Sequence, residues 1–510
     1  MKKQHIIYYI VLAALVSLFA IYTATRFPYT YITMEGDDFW VLTRDFWHMK
    51  LAMLPAATNW LSDWLMQFYS SPFVGASIGA LVLGVIGLLA AQAFSAFSSR
   101  TKKPNRKASS SKKPRRNMWL CWIGLVPPVL LGYYCPFCLA FQLQWLFFFV
   151  LLLAYQSIPH PIGKALWSLL CVPVGFMLMR TPMLFLLIAM QAVFILLHRE
   201  EGKKAYLWGG MAGAVALLVI APLTYSQQVA FIPYQERYTK WGANIDPLTS
   251  RNNLDGEQIK MMTCLANEQR WEDVLYKAHA KREAQRGKAL ALRYALLAES
   301  ALGTLPDNLL DYPISNENMF YYPHEGGHIS LQFNRLFYLN LGVYDEAFHH
   351  AQEYGLLQAN NICFSSLRQM VDYSIEEGDF ETSEKFLCIL DKSSCHKPFV
   401  ESRRKILSDS KSGNQQRKAV SLRADNFVGG FPLPIEMLRL ARYFKERNGQ
   451  QAQDPSSAEQ DNSQIRKMVD YAICSYLLRN DKERFIIATK AFDVYKDKEL
   501  PRAYREYLNR

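Results

Sequence analysis

The stretch Ser99–Asn117, SRTKKPNRKASSSKKPRRN, separates two strongly apolar parts of the sequence. Nine of its nineteen residues are Lys or Arg, and none is acidic. Lys and Arg beside a membrane span resist translocation, so such a loop stays in the cytoplasm. This loop therefore sets the expected side of every other segment, which follows by counting spans outward from it.

Charge divides the 510-residue chain into two parts. The net charge is +12, and all of the excess lies in residues 1–223, which hold 19 Lys/Arg and 7 Asp/Glu. Residues 224–510 hold 38 of each and are neutral overall. The basic excess indicates membrane topology and contact with anionic lipid. Because no aromatic residues are interleaved with the basic run, nucleic-acid binding is not expected.

Apolar segments in residues 1–223 predict about seven transmembrane helices. The predicted spans are 5–25, 73–97, 118–134, 139–155, two within 165–197, and 206–223. As one helix, Ala165–Leu197 would be about 50 Å long, whereas a bilayer core is about 30 Å thick. Pro182 lies near its centre and disfavours helix at the residue before it. Two crossings place the C-terminal half outside, whereas one crossing would place it in the cytoplasm.

The loop 26–72, between the first two spans, is expected on the outer side. It contains two amphipathic stretches rich in Trp and Phe, at about 39–53 and 58–69. Aromatic-rich amphipathic helices lie in the plane of the membrane interface. We therefore expect both stretches to be interfacial helices.

Residues 224–510 have the pattern of a soluble α-helical repeat. Helix–turn–helix signals recur around Trp271, Asp307, Tyr344 and Phe380, which are 36 or 37 residues apart. This spacing is close to the 34-residue period of tetratricopeptide (TPR) helix pairs. Each helix has one apolar stripe, so neighbouring pairs must stack to bury it. Beyond residue 400 the pattern loosens, and the polar run 448–463 is expected to be a mobile loop.

Asp37 and Asp38 follow the first span on the expected outer side. This placement resembles the start of membrane-embedded glycosyltransferases that use lipid-phosphate sugar donors. That resemblance implies an acidic residue acting as base or metal ligand, in a cavity with cations such as Arg44 or Arg180 nearby. The alternative is a solvated acidic turn that caps a helix beginning near Phe39, since Asp is a good N-cap residue.

Cys135 and Cys138 have the spacing of a dithiol pair at the outer membrane edge. The pair resembles that of quinone-linked thiol oxidases of the bacterial inner membrane. A reactive thiolate needs a helix N-terminus or a nearby cation, and no His, Lys or Arg is close in sequence. A structural disulfide or two buried thiols is the alternative. In the C-terminal half, Cys388 and Cys395 are the best candidates for a disulfide.

The string His324-Glu325-Gly-Gly-His328 has the residue types and spacing of the zinc-protease motif HExxH, but not the helical context that the motif needs. That chemistry requires a helix with both imidazoles on one face, whereas Pro323 and the two glycines disfavour a helix. No metal site and no cofactor are therefore expected.

The overall layout resembles an uncharacterised family of bacterial polytopic inner-membrane proteins with a C-terminal tetratricopeptide-like domain. The residues that carry the likeness are Asp38-Phe-Trp through Trp64-Leu-Met-Gln-Phe68, with Pro72 and Gly75, and the turn Leu341–Ala347. The resemblance implies an architecture and no activity.

The sequence thus predicts an all-α protein with two domains. Residues 1–223 form a bundle of about seven transmembrane helices in the bacterial inner membrane, with a cytoplasmic N-terminus. Residues 224–510 form a soluble TPR-like domain on the periplasmic side. The leading hypothesis is a membrane-anchored interaction or assembly protein, because stacked helix pairs present a surface suited to a peptide or another protein. A glycosyltransferase-like enzyme using Asp37 and Asp38 and a membrane thiol oxidoreductase are the alternatives.

Overall fold

The computed structural model describes ten ranges of the chain. They are 2–51, 55–97, 119–198, 204–224, 254–321, 327–358, 360–412, 433–451, 455–492 and 499–510. The basic loop 99–117 and residues 324–326 of the zinc-protease-like string lie outside these ranges. Within them the regular structure is helical and no strand occurs, so the all-α prediction is confirmed there.

The chain divides into two compact units. Unit 1 comprises Met1–Glu35 and Trp40–Leu254, and unit 2 comprises Gly36–Phe39 and Asp255–Arg510. The second part of unit 1 ends at Leu254, whereas the sequence predicts a domain boundary after residue 223. The observed boundary is therefore 31 residues further along the chain. The assignment of four residues of the first loop to unit 2 is a feature that the sequence did not predict.

The described helices up to residue 224 are numbered α1 to α11. They are α1 (Lys2–Arg26), α2 (Pro28–Gly36), α3 (Arg44–Leu51), α4 (Ala56–Met66), α5 (Pro72–Phe97), α6 (Trp119–Ile123), α7 (Val126–Tyr134), α8 (Leu139–Ser157), α9 (Pro161–Leu178), α10 (Thr181–Leu197) and α11 (Ala205–Thr224). Four helices, α1, α5, α8 and α9, are long and apolar enough to cross a membrane. The other three predicted spans coincide with shorter apolar helices within 121–134, 181–197 and 205–220.

Residues 165–197 form two helices, as the Pro-containing break predicts. Met179 between them is fully extended, with φ −154° and ψ 162°. Gly175 of α9 lies so close to α10 that a Cβ there would be 2.1 Å from Leu184 Cδ2. The two helices therefore turn back and pack on each other. The side of the membrane on which the chain then emerges stays a prediction.

The predicted span 118–134 differs from expectation, because it is broken at Gly124 into α6 and α7. Pro127 and Pro128 lack backbone N–H groups and therefore fit the first turn of a new helix better than a helix interior. Gly124 also approaches α5 closely, since a Cβ there would lie 2.5 Å from the backbone nitrogen of Ala91. The break accommodates both constraints.

The first loop also differs from expectation. The amphipathic helix predicted from Phe39 begins only at Arg44, and residues 38–43 are not helical. Asp37 and Asp38 therefore do not cap a helix beginning near Phe39, and that alternative is wrong. Helix α2 (Pro28–Gly36) precedes them.

Helix α4 buries its polar face inside unit 1. Asn59, Ser62 and Asp63 are buried, whereas Trp64 is exposed. Asp63 forms an ion pair with Lys50, which is also buried. This arrangement is the reverse of a helix on a water-soluble protein, where the apolar face points inward.

The described helices of unit 2 are numbered α12 to α25. They are α12 (Leu254–Asn267), α13 (Trp271–Tyr276), α14 (Ala280–Gln285), α15 (Ala289–Leu302), α16 (Leu305–Asn308), α17 (His328–Leu341), α18 (Tyr344–Leu356), α19 (Phe364–Glu377), α20 (Phe380–Leu390), α21 (Lys397–Ser412), α22 (Pro434–Gln451), α23 (Pro455–Leu478), α24 (Lys482–Phe492) and α25 (Arg502–Leu508). Three of the four predicted turn anchors, Trp271, Tyr344 and Phe380, are the first residues of α13, α18 and α20. Asp307 lies in the one-turn helix α16.

A left-handed turn residue recurs between successive helices of unit 2. Residues with positive φ just after a helix include Gln269, Gly287, Gly303, Gly342, Gly378 and Asn480. At five of these six, the next N–H donates to a carbonyl five residues back, for example Val343 N to Tyr338 O at 3.0 Å. This bond closes the last turn of the preceding helix. One turn type thus recurs along the described part of unit 2.

The expected mobile loop at 448–463 is wrong for its described residues. Residues 448–451 end α22 and residues 455–463 begin α23. Gln, Glu and Ala in this run are good helix formers, and Pro455 suits a helix start. A polar composition is therefore not sufficient to predict a loop in this part of the chain. Cys388 and Cys395 are thiols in this structure and do not form the expected disulfide.

Candidate functional site

Asp37 and Asp38 lie in the four-residue segment Gly36–Phe39, which belongs to unit 2. Helix α2 ends at Gly36, and the residues after the turn at Asp37 have no regular structure. A Cβ on Gly36 would lie 3.3 Å from Ser365 Cβ at the start of α19. We call this segment, with the side chains of unit 2 that hold it, the Asp37 site.

Two backbone carbonyls of the segment accept hydrogen bonds from unit 2. The Phe364 N–H donates to Asp38 O at 3.0 Å. The side-chain amide of Asn360 donates to Phe39 O at 3.4 Å and to Asp38 Oδ1 at 3.0 Å. Asp38 is 6 % exposed and Asn360 is buried as well. One amide side chain thus holds both the backbone and the carboxylate of the segment.

An aromatic wall covers Phe39. Its ring lies nearly parallel to the His396 ring, with centroids 6.4 Å apart. His396 in turn stacks on Phe364, with centroids 3.6 Å apart. Burial lowers the pKa of His396 to about 4, so the imidazole is neutral at pH 7. The wall is therefore flat and uncharged.

Asp37 is held by Tyr354 of α18, whose hydroxyl donates to Asp37 Oδ1. Burial raises the pKa of Asp37 to about 6, although the Tyr354 hydrogen bond and the Lys260 ammonium group act in the opposite direction. Burial, together with the neighbouring Asp37, also raises the pKa of Tyr354 well above its usual value. The phenol therefore stays protonated and serves as a donor.

A buried cation, Arg335, lies in α17 and is 1 % exposed. Its guanidinium donates to Tyr373 Oη at 2.6 Å, to Gln332 Oε1 at 3.0 Å and to the Asn267 side chain. These three acceptors satisfy part of the hydrogen-bonding capacity of the guanidinium inside unit 2.

The Asp37 site holds a peptide segment rather than presenting reactive groups. Burial raises the pKa of the neighbouring Cys363 thiol to about 12, which excludes a thiolate nucleophile at neutral pH. Among the described residues no cluster of three or more His, Cys, Asp or Glu side chains could hold a metal ion. Arg44, one of the cations expected near the carboxylates, hydrogen-bonds His48 at 3.2 Å.

Cys135 and Cys138 lie in the turn between α7 and α8, and both are buried thiols. The Cys135 carbonyl accepts from the Cys138 N–H at 3.3 Å and from the Gln142 side chain at 3.0 Å. Thiol–disulfide exchange requires an accessible thiol, so this burial favours a structural role for the pair.

Sequence reasoning singled out Asp37 and Asp38 but missed their partners. Tyr354 and Asn360 lie more than 300 residues away in the chain, and nothing in their own neighbourhood marks them. Arg335 did carry a signal, since it interrupts the apolar run between Leu331 and Leu341. An arginine at the buried position of a repeat helix indicates an internal polar network.

Comparison with known proteins gives one match. A family described as "Family of unknown function (DUF6057)" matches residues 2–509. No curated protein and no solved structure matches the chain.

Proposed function

Because the chain belongs to this family of unknown function, its activity has to be inferred from its own residues, and we propose that it is a membrane-anchored interaction or assembly protein. Unit 1 anchors it in the inner membrane of a bacterium, and unit 2 is a TPR-like domain on the periplasmic side that binds an extended segment of another protein.

The anchor rests on the apolar helices of unit 1. Four of them have the length and hydropathy of membrane spans, and three shorter ones bring the total to the seven of the proposed topology. Exposed side chains along α1 are large and apolar, including Ile10, Leu18 and Ile21. Such surfaces need lipid around them. The buried polar face of α4 has the same explanation, because lipid favours an apolar outward face.

The binding role rests on one observation: side chains of unit 2 hold the non-helical chain that follows helix α2, within Gly36–Phe39. One side-chain amide bonds a backbone carbonyl there, and a buried aromatic wall receives one side chain. These contacts support the proposal that the stacked helix hairpins receive a segment of another protein.

The enzyme alternative has weaker support. Tyr354 and Asn360 occupy the carboxylates that a glycosyltransferase-like mechanism would need. Replacing Asp37 and Asp38 together by Asn keeps their size and much of their hydrogen bonding while removing both charges. An interaction protein should keep its function in this variant, whereas an acid–base or metal-dependent enzyme should lose it.

The proposal is tested by photocrosslinking in the native host. A photoreactive amino acid replaces Leu357, a half-exposed residue at the end of α18 next to the Asp37 site, or Ile487 on α24, which is similarly exposed. We expect ultraviolet light to give discrete adducts with another protein at Leu357 and weaker or none at Ile487. Absence of adducts at both positions, with function lost in the Asp37→Asn/Asp38→Asn variant, would favour an enzyme.

A further inference from the structure

We propose that the Asp37 site recognises a short segment in which a carboxylate or amide side chain precedes an aromatic one, and that Gly36–Phe39 is an internal occupant which such a segment of a partner protein replaces. This inference rests on the proposed function and specifies the ligand of the same surface.

The first specificity element is the residue at the Asp38 position. The Asn360 amide donates to both Asp38 Oδ1 and Phe39 O. A ligand must therefore offer a side-chain acceptor at the Asp38 position and a backbone carbonyl at the next residue. The Phe364 N–H holds the backbone of the same residue by its bond to Asp38 O at 3.0 Å. Asp or Asn satisfies both contacts, whereas an aliphatic residue would leave the buried Asn360 amide without this acceptor.

The second specificity element is the residue at the Phe39 position. Phe39 is almost fully buried against His396, which is itself buried and stacked on Phe364. A flat neutral wall favours another aromatic ring by burial and by ring–ring attraction. A charged side chain would lose its hydration there without gaining a partner.

The internal occupant is held by these contacts and not by secondary structure of its own, because residues 38–43 have no regular structure. A partner segment that offers the same side-chain acceptor, carbonyls and ring therefore competes for the same groups of unit 2.

The test uses the full chain in lipid nanodiscs and a dye-labelled peptide with the sequence of residues 34–41. Asp38→Ala/Phe39→Ala removes both side chains by which the internal occupant is held. We expect this variant to bind the peptide at least tenfold more tightly than the unaltered chain, measured by fluorescence anisotropy. Adding Asn360→Ala should reverse the gain, and a peptide with Ala at both positions should not bind.

Two results would overturn the inference. One is that the double variant binds the peptide no more tightly than the unaltered chain while both unfold at the same temperature. The other is equal binding of the peptide and its Ala-substituted control. If the double variant does not fold, Phe39→Ala replaces it, because this change removes the ring from the His396 wall and alters a single side chain. Adducts at Leu357 together with failed peptide binding would leave the proposed function standing and exclude only this ligand.

Discussion

Glu377, the last residue of α19, illustrates how one side chain sets the pH dependence of unit 2. Burial and the adjacent Asp345 carboxyl group raise the pKa of Glu377 to about 8. The folded chain thus holds this proton more tightly than the unfolded chain, in which Glu titrates near 4.5. Its contribution to stability is complete below pH 4.5 and is lost as pH rises through 8.

Replacing Glu377 by Gln should remove this pH dependence. We expect the unaltered chain to lose on the order of 2 kcal/mol of unfolding free energy between pH 5 and pH 9 through this group, and the variant to lose much less. Urea denaturation of the full chain in detergent, at several pH values, measures the difference. Glu381→Gln is the control, because Glu381 is an exposed residue of the next helix. Parallel pH profiles for all three proteins would contradict the assignment.

At the same scale, the sequence identified the acidic residues of the candidate site but not their environment. Asp37 and Asp38 stand out as paired carboxylates after an apolar run. The Tyr354 and Asn360 contacts that define their role depend on a chain reversal over more than 300 residues. Periodicity reports the local face of a helix and carries no information about such distant pairs.

At the scale of the element, the turn at Gly303 shows what unit 2 requires between its helices. Gly303 has φ 73° and ψ 16°, and the space around its missing Cβ is open. Any substitution there therefore tests backbone conformation alone. Asn480 adopts the same left-handed conformation in the last described hairpin, with φ 57°.

We expect Gly303→Asn to cost less than about 1 kcal/mol and Gly303→Val about 2 kcal/mol, because Asn tolerates this conformation and a β-branched residue does not. The midpoint of chemical denaturation, compared with that of the unaltered chain, measures both. Equal losses for the two variants would show that the turn does not depend on its left-handed residue.

Element boundaries were predictable where a local signal decided them. Pro182 lies in the first turn of α10, where its missing N–H is tolerated, and the break in 165–197 falls just before it, between Leu178 and Thr181. The helix expected from Phe39 failed for a different reason. Residues 38 and 39 have helix-compatible side chains, but their carbonyls are hydrogen-bonded by Phe364 and Asn360 of unit 2. Tertiary contacts override local preference there.

At the scale of the whole molecule, the proposed topology gives a direct experiment. A reporter enzyme that is active only outside the cytoplasm should be active when fused after Arg510 and inactive when fused within the basic loop 99–117. The basic loop resists translocation, and an odd number of crossings from the N-terminus exports the C-terminus. Fusions of a reporter that works only in the cytoplasm should give the opposite pattern. Activity of the exported reporter in the loop, or its inactivity after Arg510, would contradict the topology.

The position of Gly36–Phe39 in the chain also has a consequence for biosynthesis. Its partners Tyr354 and Asn360 are 317 and 322 residues downstream. At a synthesis rate of about 5–20 residues per second, roughly 15–65 s pass between the emergence of Asp38 and that of Asn360. During this interval the nascent segment lacks the Tyr354 and Asn360 side chains that hold it in the finished protein. The ribosome-bound chain therefore offers an acidic, aromatic peptide to chaperones that the finished protein conceals.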